Sequence, residues 1–390
     1  MTRYSLHILF LTLALCSAVA IFNYIVDPYS VYHFKNADSD RLSRVDQFYR
    51  MRMSKPWQLS QIKPTAVVIG TSRTGSISPN HPAWPEQQSF NLSVPGMTPY
   101  EMLRFIEHAQ ANGPLDKLTI GVDFEAFVSA EPHTRPGFIE ARMAPHQGVY
   151  ESLLTAWQRA RDISDTLLSI NALSLSITAV SGADEPGRRY YNDGSWIKAK
   201  ARLTGRSGMV FVGKDRIVAF LDKTLDLEKN IALLGQILRF CHQHNIDTRL
   251  FVTPEHVFLI DLWSRLGYQE QWVEFHRALI AINRDIARDM GRPAFPLWGF
   301  NDLEKFVDEP IAKAGKGLQS NFVDGVHFQK NFGGAIMDGI WDESTGIGAR
   351  LDRERLDLYM VKVQQLSDNF AARNQQLIAQ MHEEMNLPAQ

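Results

Sequence analysis

Cysteine is almost missing from this chain, with Cys16 and Cys241 the two among 390 residues. Cys16 falls in an apolar run and Cys241 in a predicted helix, so no internal disulfide is expected. A basic excess is also missing. Lys and Arg number 41 against 43 Asp and Glu, a net charge of −2, and no nucleic-acid partner is expected. The chain has no glycine-rich phosphate loop, no dinucleotide fingerprint and no zinc-ligand spacing, so no cofactor or metal is expected. It has no internal repeat and no low-complexity run. The remainder, 45% hydrophobic and 22% charged, is ordinary folded protein, long enough for one large or two modest domains.

Charge is absent altogether between Leu6 and Val26, in LHILFLTLALCSAVAIFNYIV. About 20 apolar residues cross a bilayer as a helix. Residues 1–26 therefore read as a signal anchor that meets the membrane through residues 6–26. A cleaved signal peptide is the alternative, and Ala18-Val19-Ala20 fits its cleavage pattern. The apolar run continues past Ala20, which favours the anchor. One N-terminal span before a polar body is the usual export pattern. It places the chain in the inner membrane, single-pass, with the body periplasmic or extracytoplasmic.

Residues 27–60 read as a polar juxtamembrane connector with a short helix near 42–54. Strand and helix patterns then alternate. Strands are expected at Ala66–Gly70, Ser89–Ser93, Leu118–Phe124, Thr248–Thr253 and Ala294–Trp298. Helices are expected at Pro99–Asn112, Leu227–Asn245, Glu270–Met290 and Asn331–Trp341. This alternation implies right-handed crossovers and an α/β body, 61–345, with a mostly parallel sheet covered by helices on both faces. The rhythm breaks over 128–225, read as an insertion that covers the top of the sheet and shapes a pocket. Within it, Tyr191 and Trp196 are candidate substrate contacts. The stretch 350–390 reads as a C-terminal helix over 354–385, with an apolar seam through Leu356, Tyr359, Val363, Leu366, Phe370, Leu377 and Met381. That seam fits packing back on the body. A self-associating or partner-binding helix is the alternative.

Two short segments carry the chemistry. Val67-Val68-Ile69-Gly70-Thr71-Ser72-Arg73 reads as a buried strand that stops at a glycine and presents a serine. Reactive groups in α/β sheets gather beyond the carboxyl ends of the strands. Asp324-Gly325-Val326-His327 places an acid and an imidazole three residues apart. A serine is a poor nucleophile unless a base takes its proton and a third group orients that base. Ser72, His327 and Asp324 supply these roles. Taken one at a time, Ser72 also fits a helix cap and Asp324 a turn or cap residue.

The order Ser, Asp, His and the Asp-x-x-His spacing resemble the SGNH (GDSL-type) serine hydrolases, over about 66–342 without the insertion. The resemblance implies a flavodoxin-like three-layer sandwich with Ser72, His327 and Asp324 as its triad. It implies that Asn91-Leu92-Ser93-Val94-Pro95-Gly96 is the segment after strand two, with the N–H groups of Ser72 and Gly96 as oxyanion donors. The family's Gly-x-Asn-Asp segment after strand three has no counterpart: the chain reads Gly121-Val122-Asp123-Phe124-Glu125. Arg73, Asn91, Asp123, Glu125 and His256 are further candidate substrate contacts around this rim.

The resemblance is nearest to membrane-anchored, extracytoplasmic members that accompany polysaccharide O-acetylation. It implies a serine esterase or O-acyl(acetyl)transferase, an acylated or acyl-accepting glycan as substrate, and a polytopic membrane acyltransferase as partner. The alternative from another class is a catalytically inactive scaffold that binds glycan or that acyltransferase.

Overall fold

A computed structural model describes residues 3–34, 50–84, 88–130, 133–144, 148–181, 188–198, 204–221, 226–312 and 321–387. Part of the expected connector helix near 42–54 lies outside these residues, as do the ends of several insertion segments. Among the described residues, the next helix after the N-terminal helix α1, Arg3–Val26, is α2, Met51–Ile62. α1 carries no charge after Arg3 and is long and apolar enough to cross a membrane.

The body is α/β. Its sheet runs β2 (Ser89–Asn91), β1 (Ala66–Ile69), β3 (Lys117–Val122), β6 (Asp247–Val252), β7 (Leu297–Gly299) and β8 (Ala349–Arg350). All neighbours are parallel except β8, which pairs antiparallel with β7. β8 was not expected, because a two-residue strand leaves no periodic signal. It carries the sheet past the anticipated limit at residue 345.

Burial alternates along β1. Val67 and Ile69 pack under α3 (Pro99–Asn112), α8 (Leu227–Gln243) and α10 (Gln269–Asp289). Ala66 and Val68 pack on the opposite face, against Ile336, Met337 and Ile340 of α12 (Lys330–Trp341). Both faces are covered, which is why the central strands read as unbroken apolar runs. α3 begins where expected because Thr98 and Glu101 form a reciprocal capping box and Pro99 occupies its first turn.

The expected insertion divides into parts with different destinations. α4 (Phe124–Val128) follows β3 directly, and then α5 (Val149–Leu168) and α6 (Ile170–Ser181) pack against α1. These two helices do not cover the sheet, contrary to the sequence-based expectation. The β4–β5 hairpin (Arg188–Tyr190 and Trp196–Lys198) and α7 (Gly205–Leu221) return to the sheet's carboxyl rim. α9 (Val257–Arg265) follows β6, and a one-turn α11 (Glu304–Val307) follows β7.

The C-terminal seam is split. α13 (Leu356–Arg373) and α14 (Gln375–Met385) break at Asn374 and fold back onto α9 and α7. Leu356, Tyr359, Val363, Phe370 and Met381 of the seam are buried in the body.

Candidate active site

The strand β1 ends at Gly70, and Ser72 opens a 3-10 turn, Ser72–Ser76. Asn91, at the end of β2, holds that turn. Its side-chain N–H2 donates to the carbonyls of Thr74 at 2.9 Å and Ile77 at 2.7 Å, and its Oδ1 accepts from Ser93 N. Ser76 Oγ donates to the Phe328 carbonyl at 2.7 Å, which ties the serine turn to the residue after His327.

The second segment is a clamped loop. Phe322 and Phe328 bridge antiparallel, Val323 N donates to His327 O at 2.7 Å, and His256 N donates to Gly325 O at 2.7 Å. Gly325 has φ +89, and a Cβ there would lie 2.9 Å from Leu259 Cδ1, so conformation and space both call for glycine.

These two segments meet. His327 Nε2 lies 2.8 Å from Ser72 Oγ, and its Nδ1 lies 2.7 Å from Asp324 Oδ2. Asp324 Oδ1 also accepts from the backbone N–H groups of His327 at 3.0 Å and Val326 at 3.3 Å. Burial pushes the Asp324 carboxyl up, but the His327 charge and these hydrogen bonds outweigh it and hold the carboxyl below its ordinary value. An ionised Asp324 accepts the Nδ1 proton, which leaves Nε2 free to accept from the serine hydroxyl. Ser72 and His327 are both partly exposed.

Beneath the serine is a buried charge cluster that no sequence pattern announced. Arg73 Nη1 lies 2.5 Å from Glu255 Oε1, and its Nη2 lies 2.9 Å from Glu125 Oε2. Arg216 of α7 lies 2.9 Å from Glu255 and also pairs with Glu125. Trp263 Nε1 donates to Glu255 Oε2 at 2.9 Å, and the Arg216 guanidinium stacks 4.4 Å above the Trp263 ring. Burial raises the Glu255 carboxyl, yet the two arginines bring it well below its usual range. Asp123 accepts from Thr253 Oγ1 at 2.6 Å and from Thr71 Oγ1. Burial raises its pKa against the pull of Arg73.

Five of the candidate substrate contacts, Arg73, Asn91, Asp123, His256 and Trp196, are buried in the framework of the rim. His256 caps α9 by accepting from Phe258 N, and its Nε2 donates to the Glu309 carbonyl at 2.8 Å. Trp196 Nε1 donates to Ser93 O at 3.2 Å. Each side chain finds an internal partner. Glu125 and Tyr191 keep partial exposure, the latter with Lys330 Nζ 3.2 Å above its ring. Gly96 is exposed with φ +58, beyond the end of β2. The residue that sequence reasoning missed at this rim is Glu255. The strand-end run Thr253-Pro254-Glu255-His256 drew notice to its histidine, one position too late.

The chain matches no protein-family model and no curated protein.

Proposed function

We propose that this chain is a membrane-anchored, SGNH-like serine esterase or O-acyltransferase with a flavodoxin-like body facing the periplasm or cell exterior. One observation carries the reading: the unbroken hydrogen-bond chain from Ser72 Oγ through His327 to Asp324. The strand order supports it too. With the β4–β5 hairpin set aside, β2-β1-β3-β6-β7 follows the 2-1-3-4-5 order of flavodoxin-like sheets, with the serine after the first strand.

In this mechanism Ser72 Oγ attacks the acyl carbonyl while its proton moves to His327 Nε2. The developing oxyanion is held by the N–H groups of Ser72 and Gly96. Collapse breaks the ester bond, and the His327 proton leaves with the departing alcohol. The acyl-enzyme is then cleared by a hydroxyl that gives its proton to His327. Water as that acceptor makes an esterase, and a glycan hydroxyl makes a transferase. The acetyl group, the polysaccharide and the polytopic acyltransferase partner follow from the resemblance to extracytoplasmic SGNH proteins.

The inactive-scaffold reading draws on one observation. Asp123 stands where an asparagine donor is expected, and its carboxylate is used internally by Thr71 and Thr253. It accounts less well for a histidine poised on a partly exposed serine. The test is acetate release from a small aryl acetate by the full chain in detergent. Activity in the wild type and its loss in Ser72→Ala support the proposal. Equal rates in both proteins would sink it.

A further inference from the structure

We propose that helices α5 and α6 enter the lipid bilayer beside α1, in the leaflet next to the α/β body, with their outward faces against acyl chains. The proposal rests on the reading of α1 as a membrane span. It does not depend on the triad.

α5 is amphipathic the wrong way round for water. Its inward positions, four residues apart, are polar: Gln158, Asp162 and Thr166 are 7%, 1% and 2% exposed. Its N-terminal outward positions are large and apolar: Tyr150, Leu153 and Trp157 are 73%, 62% and 70% exposed. The polar face is fully used. Arg142 grips Asp162 through Nε and Nη2, each at 2.8 Å, and Gln158 Nε2 donates to the same carboxylate at 2.8 Å. Thr166 Oγ1 lies 2.5 Å from the Tyr32 hydroxyl. A helix that buries its polar groups and presents aromatics and leucines outward is stable where the outside is hydrocarbon.

α6 continues the pattern. Its sequence INALSLSITAVS has no charged residue. Ala172, Ser176 and Ala179 are buried, and Ile177 and Val180 are 55% and 62% exposed. Ser176 Oγ donates to Asn23 Oδ1 at 2.7 Å, and Asn23 Nδ2 donates to Leu167 O at 2.9 Å. Asn23 is the one amide in α1, it is 0% exposed, and its polar needs are met by α5 and α6 alone among the described residues. A polar side chain in a spanning helix is ordinarily satisfied by a neighbouring helix in this way.

The depth follows from which part of α1 is covered. Its part-buried and buried positions begin at Val19 and end at Val26, and the helix before them is exposed. Eight residues of helix are about 12 Å, close to half of a hydrocarbon core of about 30 Å. α5 and α6 are bent by 51° at their junction, and α5 carries exposed Arg159, Arg161 and Asp165 beside its apolar stripe. These charges place that part of α5 in the headgroup layer, where the arginines snorkel to lipid phosphate. The arrangement is a wedge in one leaflet rather than a second span. It fixes the orientation of the body against the membrane, which a single helix would leave free to rotate.

The test uses the full chain with Cys16→Ser, reconstituted in phosphatidylethanolamine–phosphatidylglycerol vesicles. Nitroxide labels are placed singly by Leu153→Cys, Ile177→Cys, Leu11→Cys on the outer face of α1 and Arg284→Cys on the body. Collision with oxygen, which partitions into lipid, is compared with collision with a water-soluble nickel chelate. The labels at 153 and 177 should resemble the one at 11, with oxygen favoured several-fold over the label at 284. Nickel access at 153 and 177 like that at 284, with position 11 still in lipid, overturns the wedge and leaves the span standing. Nickel access at position 11 as well removes the span. Shielding from both reagents with dipolar broadening would mean that a second copy covers this face, which also overturns the proposal. A lipid-soluble carbene reagent on the unaltered chain gives the same readout without labels: peptides from 149–181 should be modified with those of α1, and their silence would contradict the wedge.

Discussion

Arg73, the residue after the candidate nucleophile, is locked 2.5 Å from Glu255, and Glu255 is shared with Arg216 at 2.9 Å. The serine turn therefore stands on a buried ion cluster that joins β1, β6 and α7. Removing one partner of such a cluster strands the others without water. Glu255→Gln should cost about 3–5 kcal/mol in denaturant unfolding of the full chain. It should also slow acyl transfer, because Ser72 is coupled to Arg73. A cost under about 1 kcal/mol would show that the arginines are satisfied without Glu255.

Three buried histidines set an acid limit on stability. Burial holds His108, His256 and His276 down at about 4, against an ordinary 6.5. Between those two values the unfolded chain binds protons that the folded chain refuses, so stability falls as pH drops from about 6.5 toward 4. Each group contributes on the order of 3 kcal/mol across that window. His256→Gln, which keeps a donor for Glu309, should flatten the pH dependence of the unfolding midpoint. An unchanged slope would mean that His256 is not held neutral.

Close packing under the serine turn is testable by a compensating pair. A Cβ at Gly121 would run into Thr74 Cγ2. Gly121→Ala should destabilise by about 1–3 kcal/mol. Thr74→Ser removes that methyl and keeps the hydroxyl that bonds Thr71 O and Ser93 Oγ. A double-mutant cycle should show favourable coupling between the two changes, whereas simple additivity would place the clash elsewhere.

In the proposed mechanism Asp324 holds the imidazole, so its amide isostere should keep the fold and spoil the tautomer. Asp324→Asn is expected to lower turnover on the order of 10⁴-fold with a small change in stability. Because the carboxyl is held below its ordinary value, it stays ionised throughout the neutral range. Turnover in Asp324→Asn close to that of the wild type would overturn this role.

Much of the fold was legible because its signals are local. β1 reads as a strand from four apolar residues closed by glycine, and α3 from Thr98, Pro99 and Glu101. Ser72 was legible from the glycine that closes β1, and Asp324 and His327 from their three-residue spacing; the structure brings the three together. What failed was long-range. The destination of α5 and α6 depends on α1, more than a hundred residues away, and their polar face looks solvent-bound until Arg142, Trp57 and Tyr32 cover it. Polar residues at a rim look like ligand contacts in one dimension. Asn91 and His256 turn out to serve backbone groups of the turns beside them.

The Ser72 nucleophile is tested by covalent labelling of the folded full chain with a serine-directed fluorophosphonate, the adduct being located by peptide mass spectrometry. This reads the nucleophile without needing the acceptor or any membrane partner. A single adduct is expected on the peptide bearing Ser72, absent in Ser72→Ala and strongly slowed in His327→Gln. No adduct on folded wild-type protein, or one that persists in Ser72→Ala, would contradict it.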